Sequence, residues 1–516
     1  MRKKQIIDVF KKYYKDEKII TTQINEIRRL YDLKEKNQYT IDDQTWDDLE
    51  MDSVFYRVDR TNSSLGQSAL YFLLRNPIFS ESTLKSRGNT LNKLKENKDV
   101  RALLQYIFFR TGYDKKNNLL KMLQKDFMSN KFKVIIYNIL RWVPLILIMF
   151  TIILMDARML IAAGVSMLIN GYICECERKN VVSNGLVYLK DIFSTTKKIL
   201  SIDDNNILEN KEKIKELYND LQDIKRNIRM INIVNMYGGF LEPLLVPFLI
   251  MESSYYNVID KLAKKKHKVL ELYYELGKIE AYISMSIYKE TLYDNCCEPQ
   301  FINEIELEIE EGVHPVLKNP VSNSILLNKK GVVLTGTNMS GKSTFLRMLG
   351  INILFSQTFY FALCKKYRGT FLNIVSSISP NDDINEGKSY YMAEAEAILR
   401  IVKSLDKDIP VLCIIDEIFR GTNPVERIAA SASILKYINS KNAITFVATH
   451  DRELTDILKS NYDFYYFSEN VNNEGLSFDY KIKEGISKTR NAIKVLDYLG
   501  YPKEITNLAR IYAEGK

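Results

Sequence analysis

The chain has 516 residues, of which 46% are hydrophobic and 27% charged, and it carries a formal charge of +9. That length exceeds one compact core and suggests roughly three domains, while the composition excludes a disordered chain. The charge permits contact with nucleic acid or an anionic membrane surface without demanding either, and the few prolines (11) and glycines (21) favour long helices.

The N-terminal MRKKQIIDVFKKYYKDEK lacks the apolar core and cleavage site of a signal peptide. It reads as an amphipathic helix with a solvated basic face. Apolar residues then recur at helical spacing to about residue 130, with a break at Asn76-Pro77, because the residue before proline disfavours helix. The next stretch differs in kind. Trp142 to Met155 (WVPLILIMFTIILM) and Met159 to Ile173 (MLIAAGVSMLINGYI) carry no charge, and only Asp156, Ala157 and Arg158 separate them. Charged helical patterning returns from Val181 to about Met230 and predicts a long solvated helix. Glu242 to Met251 (EPLLVPFLIM) is too short to span a bilayer and reads as a core helix. No repeat of 20 to 50 residues is visible. Near residue 300 strand-like runs begin to alternate with helices, which predicts an α/β domain to the C-terminus.

The six cysteines (Cys174, Cys176, Cys296, Cys297, Cys364, Cys413) form no C-x-x-C pair of the kind that holds structural zinc, and there are only three histidines. Reduced, intracellular thiols are the expectation.

The chemistry lies in the α/β part. Gly331 to Thr335 (GVVLT) is β-prone, and KSTFLRMLGINILFSQ from Lys342 is a helix pattern. Between them run Gly336, Thr337, Asn338, Met339, Ser340, Gly341, Lys342, Ser343 and Thr344, spaced G-x-x-x-x-G-K-S. In that context the spacing predicts a P-loop, whose inward N–H groups and helix dipole suit phosphate oxygens. Lys342 is then placed to reach the β and γ phosphates and Ser343 to bind Mg²⁺. Val411 to Asp416 is an apolar strand ending in Asp416-Glu417. Asp416 is placed to hold Mg²⁺, and Glu417 to orient and deprotonate an attacking water. A third β run, Ala443 to Thr449, precedes His450, which is positioned to sense the γ-phosphate.

Taken together, TGTNMSGKSTFLR, IIDEIFRGTNP and FVATHDREL resemble the P-loop, Walker B and histidine-switch motifs of the MutS family, the mismatch-repair ATPases and their relatives. The resemblance implies an α/β P-loop NTPase domain akin to ABC ATPases, a mixed sheet flanked by helices, preceded by a mostly helical core and lever region. It implies ATP and Mg²⁺ at an interface between two copies. NDDINEGKSYYMAE corresponds to the signature region, where Ser389 would complete the partner's ATP site; the ABC-type LSGGQ is absent. EGVHP at Glu311 to Pro315 resembles the opening of the ATPase domain, which gives His314 a structural role. TNSSLGQSALYFLLRNP, from Thr61 to Pro77, resembles the start of the helical core. The implied division is an N-terminal extension (1–44), a helical core and lever region (45–300) and the ATPase domain (301–516).

Three departures shape the functional expectation. About 45 residues precede the core, too few for the mismatch-reading domain, and they hold no F-x-E wedge; nothing after Gly485 resembles a nuclease module. The P-loop has Thr337 and Ser340 where proline and glycine are usual. An apolar pair at about 135–173 falls inside the helical region, with Lys131, Lys133 and Arg141 before it and Arg178 and Lys179 after it. The flanks fit a two-helix hairpin inserted from the cytoplasmic face; a buried soluble pair is the alternative. The first functional reading is therefore an ATP-switched DNA-binding homodimer gripping duplex or branched DNA through phosphates. The second is a membrane-anchored mechanochemical ATPase acting on a protein or lipid.

Overall fold

The computed structural model describes residues 3–12, 22–124, 130–181, 184–204, 209–229, 245–293, 295–327, 329–337, 340–379, 390–419, 423–472, 475–486, 493, 496–497 and 499–513. The chain forms two compact units, each discontinuous in sequence. Met1–Glu35, Asp59–Phe72 and Thr90–Ile287 make the first; Lys36–Val58, Leu73–Asn89 and Tyr288–Lys516 make the second. These boundaries run differently from the linear divisions at residues 44 and 300.

The first unit is helical. Its longest helix, Ile250–Thr291, runs 42 residues and departs from helical geometry at Lys265. Its second half is buried through Leu272, Tyr273, Leu276, Ala281 and Ile283. Gly277 allows close packing there, since a Cβ at that position would stand 2.3 Å from the Leu65 carbonyl oxygen. One turn later the buried Glu280 carboxylate accepts the Gly66 N–H at 3.1 Å, the Asn62 N–H at 2.5 Å and the Ser63 hydroxyl. It thus serves donors at the start of the helix beginning at Ser64, which helical bonding leaves unpaired. The segment TNSSLGQ has its small residues because helix, carboxylate and second helix converge on it.

Two expectations for this unit are corrected. The patterning from Val181 to Met230 does not make one long helix: Asn184–Leu200 and Lys211–Asp220 are separate. The run SIDD that follows the first of them is rich in side chains of the kind that hydrogen-bond their own backbone in competition with helix. Nor is it all solvated, since Ile199, Ile214, Leu221 and Ile224 are buried. The second correction concerns Glu242–Met251. Its described part is a 3₁₀ turn at Val246–Phe248 with proline in its first turn, followed by left-handed Leu249, after which the long helix begins. The first helix, Lys3–Lys12, and the ending of Ser64–Arg75 just before Asn76-Pro77 follow the sequence pattern.

The second unit carries strands β1 (Gln300–Phe301), β2 (Leu307–Gly312), β3 (Asn323–Leu326), β4 (Gly331–Thr335), β5 (Lys366–Gly369), β6 (Asn373–Ser377), β7 (Val411–Asp416), β8 (Ala443–Ala448), β9 (Tyr462–Asn472) and β10 (Gly475–Glu484). Among the described residues they form a four-stranded sheet, β1-β5-β2-β3, and a six-stranded sheet, β10-β9-β4-β8-β7-β6. The larger sheet is parallel from β9 to β6, with β10 antiparallel on its edge. Every residue of β4, β6, β7 and β8 is buried, as expected of parallel strands covered on both faces. The helix Lys342–Phe359 packs against β2 of the small sheet and against β7 and β8 of the large one, and nearly all of it is buried. Two of its buried polar side chains hold neighbouring backbone: Asn352 bonds the Val313 and Met348 carbonyls and the Leu363 N–H, and Gln357 brackets Leu372. Burial on all sides gives this helix, and the loop that opens it, a fixed position.

Candidate functional site

Register fixes where the chemistry collects. Leu334 of β4 and Asp416 of β7 both pair with Ala448 of β8, so the three strands end side by side. Ligands of open parallel sheets bind at that carboxyl edge. A cavity of about 430 Å³ opens there, lined by Gly341, Lys342, Ser343, Asp416, Glu417 and Tyr480 among others. Its size lies within the range of small-ligand sites, roughly 300–1,000 Å³.

The glycine loop needs its glycines. Gly336 has φ 140° and a Cβ there would stand 2.8 Å from the Phe467 carbonyl oxygen; Gly341 has φ 109° and caps the buried helix. Lys342 is buried, and its ammonium donates to the Gly336 and Thr337 carbonyl oxygens at 2.8 Å each. Ser340 Oγ is fully buried with no hydrogen-bond partner among the described residues, a donor left for a ligand oxygen. Thr344 lines the cavity. Asn338, Met339 and Ser389 lie outside the described residues.

Opposite the loop, the Ser343 hydroxyl donates to Asp416 Oδ2. Two hard oxygen donors in contact are the donor set that Mg²⁺ takes beside a phosphate. Glu417 follows in a left-handed conformation, φ 59°, rare for a non-glycine residue and strained by roughly 1–3 kcal/mol. Its N–H is held by the Ala448 carbonyl at 2.9 Å. Its carboxylate lies 3.0 Å from His450 Nε2, and that nitrogen lies 3.5 Å from the Lys342 ammonium. Lys342, Ser343, Asp416, Glu417 and His450 therefore form one constellation, built from three strand ends and one helix start.

Several residues of the site carry no motif. Arg427, on the helix Pro424–Asn439, grips Asp451 with two bonds of 3.1 and 2.7 Å and so fixes the turn that carries His450. Tyr480 lies in β10 at a register shift, with φ 53° and its ring over the Gly341 backbone; broken alternation in FDYKI is its faint sequence signal. Most remote is Asp48, buried on the short helix Asp43–Asp48. Its carboxylate accepts the Ser376 hydroxyl at 2.7 Å and the N–H groups of Ile378 and Ser379 at 3.0 and 2.9 Å. Ile378 and Ser379 both line the cavity, so a residue nearly three hundred positions before the P-loop shapes its wall.

His314 is buried and stands apart from this constellation. Burial, and then the charge of Arg347, lower its pKa to about 4, and its Nδ1 accepts the Val316 N–H at 3.4 Å. The Lys264–Lys266 run sits on the long helix. Lys264 pairs with Asp260, and Lys265 with Asp223 and the Asp220 carbonyl.

Residues 332–514 match the family profile described as MutS domain V. Over 263 residues, 49% of this chain and 32% of the relative, the sequence is 32% identical to the DNA mismatch repair protein MutS of Thermotoga maritima. The DNA mismatch repair protein MutS of Aquifex pyrophilus is 34% identical over 223 residues, 41% of this chain and 26% of that protein. The one from Thermus aquaticus is 27% identical over 263 residues, 50% and 32% respectively. The match thus spans about a third of the length of these relatives.

Proposed function

On the match of residues 332–514 to MutS domain V, we propose that the chain is a MutS-family ATPase that hydrolyses ATP at a site shared by two copies and uses the cycle to move helical arms on DNA. The observation that carries this reading is the single constellation of Lys342, Ser343, Asp416, Glu417 and His450 beside a glycine cradle.

The residues fit the groups the reading requires. Loop N–H groups, Ser340 Oγ and the Lys342 ammonium would hold the phosphates, with phosphate oxygens replacing the two backbone carbonyls that Lys342 now serves. Ser343 and Asp416 would hold Mg²⁺, which supplies charge neutralisation to the phosphates. Glu417 accepts a proton from the attacking water, and His450, 3.0 Å away, holds its carboxylate in place. Tyr480 offers a ring face for a nucleobase at the cavity mouth. Ser389 is assigned to the partner's site. Catalysis here is positioning and electrostatics more than covalent chemistry.

DNA as the load is supported by the relatives' name as mismatch repair proteins. A membrane-anchored engine with another load is the second reading, favoured by one observation: Lys265, in the most basic run of the long helix, is already paired within its own unit, which leaves less charge for phosphates.

Steady-state hydrolysis by detergent-purified full chain, with and without duplex, mismatched and branched DNA, tests both. Glu417→Gln should cut the rate roughly 10²–10⁴-fold while ATP binding persists. Equal turnover by that variant rejects Glu417 as the base. A rate indifferent to every DNA rejects the DNA load and leaves the ATPase standing.

A further inference from the structure

Independently of the ATP site, we infer that residues 142–173 form a hairpin buried in a lipid bilayer, entering and leaving by the same face. Its arms are Val143–Leu154 and Ala157–Val181, packed on each other, with Met155 turning the chain in a left-handed conformation. In the most apolar part of each stretch, Lys131–Leu154 and Ala157–Glu177, only 11% and 17% of the residues are buried, which argues against a core pair in a soluble unit.

What covers the hairpin follows from how the apolar residues are distributed. Ile152, Ile153, Leu154 and Met155 are consecutive and all exposed, Met155 at 92%. At about 100° per residue Ile152 to Leu154 spread over more than half of the helix circumference, and Met155 stands on the turn. On the other arm Leu160, Ile161, Leu168 and Ile169 are exposed over about half of the circumference. A protein partner reads one stripe, at i, i+3 and i+4, and leaves a polar face; a helix apolar all round wants a medium on every side. The lack of a polar face also excludes a helix lying in the headgroup plane.

The base of the hairpin supplies a level. Asn170 is fully buried and donates to the Leu140 carbonyl at 3.1 Å and the Pro247 carbonyl at 2.7 Å, which fixes the register of the arms. Trp142 and Tyr172 therefore lie within about a helical turn of one level, both exposed, with the Arg141 guanidinium over the Trp142 ring. Tryptophan, tyrosine and arginine together at one height are the residues of a headgroup belt. On the side of that belt away from the tip, the arms carry a polar cluster. Glu177 accepts from Tyr137 at 2.9 Å and Tyr256 at 2.6 Å and pairs with Lys133, and Asn138 bonds Asn257. Beyond the belt nothing charged occurs until Asp156 and Arg158 at the tip. The thirteen residues from Val143 to Met155 reach about 20 Å, past one leaflet of a core about 30 Å thick. Arg158 extends the reach by snorkelling.

The chain holds two tryptophans, and Trp46 is buried in the second unit, so Trp142 is a native depth probe. The full chain, reconstituted into phosphatidylcholine–phosphatidylglycerol vesicles, should float with them after an alkaline carbonate wash. Lipids brominated near the carbonyl end of the acyl chain should quench its fluorescence more than lipids brominated near the methyl end, and Trp142→Phe should remove the quenching. Ile152→Lys with Leu168→Lys alters two exposed side chains. It should reduce the carbonate-resistant fraction below about a tenth of wild type, with helical circular dichroism and binding of a fluorescent ATP analogue retained. Release of the wild type by carbonate, or fluorescence indifferent to bromine, overturns the proposal. So does a monodisperse oligomer that stays soluble without detergent, because a second copy would then cover the hairpin.

Discussion

Replacing Asp48 by alanine removes the acceptor for one hydroxyl and two N–H groups at the end of β6. Ser376 and Ile378 are buried, whereas Ser379 is exposed, so water can restore only the last of the three bonds. Two buried donors left unpaired, each costing about 1–3 kcal/mol, give a loss of roughly 3 kcal/mol once partial relaxation is allowed. For a unit of this size that lowers the melting temperature by about 6–12 °C. Asp48→Asn keeps the volume and one carbonyl oxygen and should lose about half as much. The same change loosens Ile378 and Ser379 in the cavity wall, so ATP affinity should fall several-fold. Differential scanning fluorimetry with and without ATP, and titration with a fluorescent analogue, read both effects. A melting temperature within about a degree of wild type, with unchanged affinity, would refute the claim that this carboxylate braces the wall.

His314 has a pKa lowered from 6.5 to about 4 by burial, so the unfolded chain binds more protons between those values and stability must rise with pH across that window. About 3 kcal/mol should be lost on going from pH 7 to pH 4, and His314→Asn should flatten that part of a stability–pH curve measured by urea titration. Gly277→Ala sets a Cβ 2.3 Å from the Leu65 carbonyl oxygen and should destabilise the helical unit by about 2–3 kcal/mol, seen as a lower urea midpoint; an unchanged midpoint would mean the helices separate freely. Tyr480→Ala should raise the KM for ATP roughly tenfold with little change in kcat, in line with the loss of one base–aromatic stack. Tyr480→Phe should behave as wild type.

The P-loop, the acidic strand end and the histidine turn were legible because each is short. Five to nine consecutive residues specify a buried strand and the turn that follows, and chemistry sits on that turn. Parallel pairing then makes the rest automatic: with Leu334 and Asp416 both level with Ala448, residues more than a hundred positions apart meet at one edge. The residues that support this group left no such trace. Asp48 is one of several carboxylates in DDQTWDDLEMD, and no periodicity says that it alone turns inward to meet β6. Arg427 and Asp451 pair across a helix start and a loop, and Tyr480 reaches the cavity because β10 shifts register. Each depends on tertiary geometry, where one-dimensional patterning carries no information. The long helix predicted from Val181 failed for a related reason. Charge spacing says that a helix suits the segment but not where Ser201 to Asp204 will interrupt it. The apolar hairpin is the opposite case. Its composition is plain in the sequence, yet composition is equally consistent with a buried pair, and the exposure of consecutive residues such as Ile152 to Met155 is what the lipid proposal rests on. Sequence therefore named the groups that gather at the strand ends, and structure was needed for those that hold them in place.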